Sequence, residues 1–487
     1  VPVLVLAVMV VAAACAPTFG SGAVVTAVTR GPLVTLSWSS ASADEGRTVT
    51  SYRIDVDGTT VATVPAPTTS CVLTGLAAST THAVSVTAVD SAGEWSGSYS
   101  GDMAASGRIT TSVVTSAAMA RSGATRGCVA TTDTDADGLP DAVETGGGTY
   151  VSAAATGTSA TDPDTDGDGI DDGDETLGTA AGLGLFELGT RPGRRDVLLE
   201  LDWFDDAVGC ASHSHRPSAA AMAALAASFA GASGTNPDGS TGINLIADRG
   251  QGGVATGGTL VTDADGVIAG GVNGADFAAI KASQFAPERE GYFHYVLLIH
   301  NYNLTSTSSG QAEILGDDLI VSLGCVAGVD QYVANTTMHE LGHNIGLRHG
   351  GDTNDNYEPN YNSVMNYEFQ FGGVDTTCDA KSDGLLDFSR GTRAALNETA
   401  LLETAGVCNG VDIDWNVNGS IQATPVAADI NQSGTQSTLT DHDDWSNLVL
   451  TAVTDLDGAP LAPTEVVTEA SVDELIRGIG AAAVGES

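Results

Sequence analysis

Apolar and polar positions alternate over several short runs near the start of the chain. Val34, Leu36 and Trp38 fall on one face, as do Tyr52, Ile54 and Val56, and then Val84, Val86 and Ala88. Period two marks strands with one buried face, and turn signals such as Asp57-Gly58 break the runs. Residues 21–106 are therefore predicted to form an all-β sandwich. The Ser-, Thr- and Ala-rich stretch 107–128 reads as a linker. Residues 129–178 are acidic and repetitive. Residues 179–194 form a Gly-rich second linker that ends in Arg191-Pro192-Gly193-Arg194-Arg195, an exposed loop open to nicking. From 195 to 450 the texture becomes α/β. Strands are predicted at 197–203, 243–247 and 292–300. A helix at 218–229 sets Met222, Leu225 and Phe229 on one face behind Pro217, and a second helix spans 330–347. After Gly350 the chain is turn-rich, and the tail 451–487 carries one weak helix near 471–478. The chain reads as multidomain: a β-sandwich, an acidic spacer, then an α/β (α+β) domain.

At about 150 residues per domain, 487 residues suit three domains. The balance of 18 basic and 61 acidic residues, a net charge of −43, excludes nucleic acid and an anionic membrane surface as main partners. Residues 1–14 are uncharged and almost wholly apolar, and short of the ~20 apolar residues a membrane span needs. With Ala12, Ala14, Cys15, Pro17 and Gly20 behind them, they read as the apolar core and cleavage site of a secretory signal over 1–15. The site also resembles a bacterial lipobox, with Cys15 as the lipid-bearing residue and Ala12 where that pattern favours Leu. No other segment could span a membrane. Setting Cys15 aside, six cysteines (71, 128, 210, 325, 378, 408) allow up to three disulfides in any of 15 connectivities, and none has C-x-x-C spacing. An extracellular or cell-surface location follows.

The acidic stretch has a register. Asp133, Asp135, Asp137, Gly138, Leu139, Asp141 and Glu144 fill positions 1, 3, 5, 6, 7, 9 and 12 of a calcium loop, and Asp164, Asp166, Asp168, Gly169, Ile170, Asp172 and Glu175 fill them again. Ca²⁺ takes six to eight oxygens, so carboxylates spaced by two and a closing bidentate Glu suit it, with Leu139 and Ile170 offering backbone carbonyls. The run 162–169, Asp-Pro-Asp-Thr-Asp-Gly-Asp-Gly, resembles the thrombospondin type 3 repeats of extracellular proteins, which implies a calcium-stiffened spacer. The sandwich resembles a fibronectin type III domain through Trp38, Tyr52 and Leu73-Thr74-Gly75-Leu76. His82 stands where that family has its tyrosine-corner Tyr and is read as a structural substitute.

The strongest chemical signal is the run 339–349, His-Glu-Leu-Gly-His-Asn-Ile-Gly-Leu-Arg-His. His339 and His343 are four apart on a helix and can share a metal. Gly346 can end the helix, so His349 can reach the same ion. Three imidazoles leave the fourth position of a tetrahedral Zn²⁺ open, and Glu340 is placed to take a proton from water there. This is the pattern of metzincin zinc peptidases. The resemblance covers 195–370 and implies that Met365, in Ser363-Val364-Met365-Asn366-Tyr367, forms the floor beneath the metal. Tyr367 matches the tyrosine that assists the oxyanion in astacin- and serralysin-like branches, and 308–314 resembles the edge strand that binds extended peptide. Gly350, after the third His, departs from matrixins, adamalysins, astacins and serralysins. The chain looks closest to an uncharacterised bacterial group, with pappalysins as distant relatives. No cysteine switch is present, and Cys128 has the wrong surroundings for one. His213 and His215 form a His-Ser-His pair on a loop before a helix and read as solvent-facing, with a second metal as the lesser alternative; His294 and His300 read as packing or solvent-facing beside a strand; and His442, in the run Asp441-His442-Asp443-Asp444-Trp445, reads as a polar loop, with a further cation site as the alternative.

The expected function is a secreted or surface-anchored zinc endopeptidase acting on protein or peptide substrates, with Zn²⁺ catalytic and Ca²⁺ structural. The alternative is a calcium-dependent extracellular binding or adhesion protein whose peptidase domain is incidental or self-processing.

Overall fold

The structure, a computed structural model, describes residues 16–43, 46–93, 108–262, 266–303, 305–453, 465–473 and 475–476. Cys15 and the signal segment lie outside them, as does most of the tail. The chain forms two compact units. The first runs to Thr165 and includes Asp172–Gly178; the second comprises Asp166–Asp171 and the chain from Thr179 onward.

In the first unit the alternating runs become two antiparallel sheets. One is ordered β8-β5-β2-β1, from Val25–Arg30 (β1), Leu33–Trp38 (β2), Ser70–Thr74 (β5) and Gly127–Val129 (β8). The other is ordered β4-β3-β6-β7, from Val49–Val56 (β3), Thr59–Pro65 (β4), Thr81–Asp90 (β6) and Ile109–Val114 (β7). All nine residues of the alternating runs lie in the core between the sheets. Asp57 and Gly58 both take positive φ (52° and 79°), as the tight turn between β3 and β4 requires. Buried His82 holds the Asp57 carboxylate at 2.8 Å through Nδ1 and the Ala77 carbonyl at 3.2 Å through Nε2. The stretch 107–128, expected as a linker, instead supplies β7 and most of β8, and the Cys71–Cys128 disulfide ties β8 to β5. Its β-branched Ile109, Val113 and Val114 pair with β6 despite the polar composition. The acidic stretch is no free spacer within this unit either: Leu139, Val143, Ala153 and Leu177, the last on α1 (Asp172–Leu177), bury against Leu33 and Val72 of the sandwich.

The second unit is built on a mixed sheet. Asp196–Asp206 (β9) is buried at nine successive positions, which fits a strand covered on both faces. Asn244–Asp248 (β10) and Phe293–Ile299 (β11) pair parallel to it, and Asp318–Ser322 (β13) pairs parallel to β11. Gly310–Ile314 (β12) then turns antiparallel to β13, and Glu465–Thr468 (β14) adds antiparallel to β12. On one face Leu199 and Leu201 pack with Leu225 and Phe229 of α2 (Ala219–Ala230) and Met338 and Leu341 of α4 (Asp330–Asn344). On the other, Leu198, Phe204 and Tyr295 meet Phe277 of α3 (Ala275–Gln284). Ser218 caps α2 by accepting from the Ala221 amide at 3.0 Å. Disulfides Cys210–Cys325 and Cys378–Cys408 complete the pairing of the six cysteines. Among the described residues no helix is long and apolar enough to cross a membrane.

Candidate metal centre

Helix α4 stops at Asn344 because Gly346 turns the backbone to φ 100°. That turn brings His349 back beside His339 and His343, with ring centroids 4.9–5.4 Å apart. Two ring orientations are fixed by carbonyls, which can only accept. His339 Nδ1 donates to Val364 O at 2.7 Å and His343 Nδ1 to Leu347 O at 2.8 Å. Each therefore turns its Nε2 inward, as a metal-binding imidazole does. Met365 is fully buried below. A Cβ at position 342 would overlap its sulfur, so Gly342 is what lets the turn at 363–367 (the Met-turn) pack against α4.

Glu340 is fully buried, and neither carboxylate oxygen has a hydrogen-bond partner. Burial, reinforced by the nearby negative Glu469, raises its proton affinity well above that of an ordinary carboxylate. It lies against the start of β12, where only glycine fits: a Cβ on Gly310 would overlap Glu340 Oε1. The Tyr367 ring stands 4.5 Å from that of His349. His294 is a packing residue, with Nδ1 3.2 Å from Asn344 Oδ1. Asn344 donates in turn to the carbonyls of Glu313 and Asp318, pinning the end of α4 to the β12–β13 hairpin.

Two functional neighbours are absent from the sequence reading. Asp444, two residues after His442, is buried. It accepts from Tyr361 Oη (2.9 Å), Ser363 Oγ (2.6 Å) and the Ser389 amide (2.9 Å), and so holds the Met-turn from behind. Glu469 follows β14 and is fully buried among the three imidazoles. Its Oε2 lies 2.8 Å from His339 Nε2 and 3.0 Å from His349 Nε2, and its Oε1 lies 3.2 Å from His343 Nε2. Burial alone would raise its pKa, but His339 and His349 outweigh that and hold it well below normal. The β-branched run before Glu469 signals a strand. Nothing local links that strand to a histidine 120 residues earlier.

The donor set fits a zinc-sized cation. One nitrogen each from His339, His343 and His349 and one Glu469 oxygen lie within 4.8 Å of one another. His343 already spends its Nδ1 proton on Leu347, so its inward Nε2 meets Glu469 Oε1 lone pair to lone pair, without a hydrogen bond. A cation between them resolves that opposition.

The acidic stretch also gathers oxygens. Asp133, Asp135 and Asp137 converge, and Asp137, Glu144 and Asp172 form a second group. Both oxygens of Asp135, with Asp137 Oδ2 and Glu144 Oε2, are buried without hydrogen-bond partners. Burial and neighbouring carboxylates push Asp137 and Glu144 up to about 7. Asp141 is held differently from the other first-loop carboxylates, accepting from Thr134 N (2.8 Å) and Oγ1 (2.9 Å). Asp172, assigned from spacing to the second loop, joins the first loop's Asp137 and Glu144. The remaining second-loop residues are shared between the units: Asp164 and Glu175 in the first, Asp166, Asp168 and Ile170 in the second. Asp168 accepts from the Asp196 amide at 2.6 Å. Leu139 and Ile170 bury their side chains in the two cores.

Residues 16–102 match the fibronectin type III domain. Solved structures with similar parts include the spore cortex lytic enzyme SleM of Clostridium perfringens (17% identity, 20% of this chain and 28% of that one, TM-score 0.16). Others are the central fibronectin-III array of RIM-binding protein (23%, 20% and 35%, TM-score 0.16) and the fibronectin(III)-like modules of Clostridium thermocellum CbhA (16%, 21% and 47%, TM-score 0.16). The chain spans less than half the length of each. No curated protein matches it. The sandwich at residues 16–102, with its period-two core and paired antiparallel sheets, is a fibronectin type III domain.

Proposed function

We propose that the second unit is a metzincin-type zinc endopeptidase of an exported protein, secreted or surface-anchored. The observation that carries this is the convergence of three imidazoles on one point, beside a buried carboxyl with no partner of its own and above a methionine floor. Zn²⁺ bound there would supply Lewis acidity toward a peptide carbonyl and toward water. His339, His343 and His349 hold the ion, the first two oriented by the carbonyls of Val364 and Leu347. Glu340 takes a proton at its carboxylate from the attacking water and delivers it to the leaving amine. Its raised proton affinity suits a group that must hold the proton between those steps. The Tyr367 hydroxyl donates to the oxygen that gains charge. An extended peptide pairs with β12. The first loop of the acidic stretch, 133–144, would be calcium-held within the first unit, and its packing against the sandwich favours a second reading, a calcium-dependent binding protein. The fibronectin domain and three disulfides are consistent with an extracellular location.

Glu340→Ala should abolish casein hydrolysis while retaining zinc measured by mass spectrometry, and His343→Ala should lose the zinc of this centre, one ion per chain. Undiminished hydrolysis by Glu340→Ala would overturn the mechanism. Hydrolysis indifferent to a zinc chelator would favour the binding-protein reading.

A further inference from the structure

We infer that residues 465–473 are a built-in inhibitor of this centre, an internal strand lying where a peptide substrate would lie, with Glu469 covering the metal position. The inference rests on the peptidase reading. β14 pairs antiparallel with β12 in the register Gln311 to Thr468, Ala312 to Val467, Glu313 to Val466 and Ile314 to Glu465. The ladder continues past Glu469: its amide donates to Gly310 O (3.3 Å), Ser309 N donates to Ala470 O (3.0 Å) and Val472 N donates to Thr307 O (2.8 Å). This is strand addition to an open sheet edge, the way an extended peptide is recognised. At the point where the ladder passes the three imidazoles, the inserted side chain is a carboxylate. It stands in for the oxygens that water and a peptide carbonyl would bring.

The segment is built to leave. β14 buries none of its four side chains fully, its Arg348–Glu465 ion pair is exposed, and Leu475 is its one deeply buried apolar anchor among the described residues. Edge strands with so little apolar burial open at low cost compared with the core. A permanent fourth ligand would make the same contacts, so the test separates the two. In Glu469→Ala and Glu469→Gln, zinc per chain should be unchanged, amide exchange at 310–314 should quicken, and casein hydrolysis should rise about tenfold or more as a tethered competitor is removed. A synthetic peptide of residues 462–476 should restore inhibition, and the same peptide with alanine at 469 should not. Loss of zinc in both variants would make Glu469 a structural ligand and overturn the inference. Retained zinc with unchanged hydrolysis and exchange would also overturn it while leaving the peptidase reading intact. A wild-type chain without zinc would remove both.

A separate cluster carries a second proposal. We propose that Asp206, His213, His215 and His300 bind a transition-metal ion with three nitrogens and one oxygen. Sequence spacing set His213 and His215 on a loop and left His300 beside a strand. The fold gathers them at the ends of β9 and β11, with one donor atom from each within 4.8 Å of the others. His215 Nε2 lies 2.7 Å, His300 Nδ1 3.3 Å and His213 Nδ1 3.8 Å from the Asp206 carboxylate. His300 is buried, and its Nδ1 has no hydrogen-bond partner. His213 Nε2 can donate to Gly324 O at 3.2 Å, which would free Nδ1 as a ligand, although the Ala211 carbonyl also lies 3.0 Å from Nδ1. The Cys210–Cys325 disulfide holds the loop that supplies His213 against the Gly324–Val326 turn, which preorganises the set. The N₃O donor set suits Zn²⁺ or Co²⁺ rather than Ca²⁺. In calcium-saturated His343→Ala chain, Co²⁺ should still bind at one site with tetrahedral visible absorption, and adding either His300→Ala or Asp206→Asn should remove it. Absence of Co²⁺ uptake by the His343→Ala chain, or uptake unaffected by both added substitutions, would overturn this site.

Discussion

Asp444 shows how much one buried carboxylate can organise. It sits behind the Met-turn, and burial pushes it up to about 7 although Ser363, the Ser389 amide and Tyr361 all donate to it. Removing it strands three donors in a dry site, and a broken buried network of this kind costs about 3 kcal/mol or more. Asp444→Ala should therefore lower the unfolding free energy of the second unit by that amount, read from denaturant titration, and weaken zinc retention, because Met365 loses its backing. Asp444→Asn keeps one acceptor but points an amide at other donors, so its loss should be about half as large. An unfolding free energy within about 0.5 kcal/mol of wild type for the alanine variant would show that the Met-turn stands without it. Gly310 and Gly342 work by absence: each leaves the space that Glu340 and Met365 respectively fill.

At the scale of elements, the acidic stretch couples charge to packing. Leu139 and Val143 sit in a small core with Leu33 and Val72, while Asp135, Asp137 and Glu144 turn orphaned oxygens to one another a few residues away. Without a cation those carboxylates oppose the packing; with Ca²⁺ they support it. Chelation should thus speed protease cleavage between 129 and 178 and lower the melting temperature of the first unit, and Glu144→Gln should blunt the calcium response. Identical digestion with and without chelator would dispose of the calcium assignment. The spacing of these acids is local, which is why the clustering of Asp133, Asp135 and Asp137 could be read from sequence, as could the sandwich core and the proximity of His339, His343 and His349. Asp172 joining Asp137 and Glu144, the strand at 109–114, Asp444 behind the Met-turn and Glu469 among the imidazoles were hidden for one physical reason. Each is fixed by a partner far along the chain, and period and propensity report only neighbours.

Over the whole molecule, charge sets the response to pH. The net charge of −43 leaves few cations to spare, and the second unit places them where strands force acids together. Glu200 of β9 and Asp248 of β10 are register partners in parallel strands, both buried, and Arg289 bridges them at 2.6 Å to each. At Glu200 the bridge does not offset burial, which pushes it up to about 7 against the pull of Arg289. Its folded pKa thus exceeds the unfolded value of about 4.5, so the folded state binds more protons between those limits. Stability from this group is full below about pH 4.5 and is lost as pH rises toward 7, then levels off. Self-repulsion among the surface acids adds in the same direction and is screened by salt. Denaturant unfolding of the second unit should therefore show a higher midpoint at pH 5 than at pH 8, a gap that narrows in 1 M salt by the surface part only. Glu200→Gln, neutral at both pH values and still able to accept from Arg289, should remove the Glu200 share of the slope, leaving that of other buried carboxyls such as Asp444. A midpoint that climbs from pH 5 to pH 8, or a slope unchanged by Glu200→Gln, would mean that the ion pair outweighs burial and that Arg289 leaves both carboxylates comfortably charged.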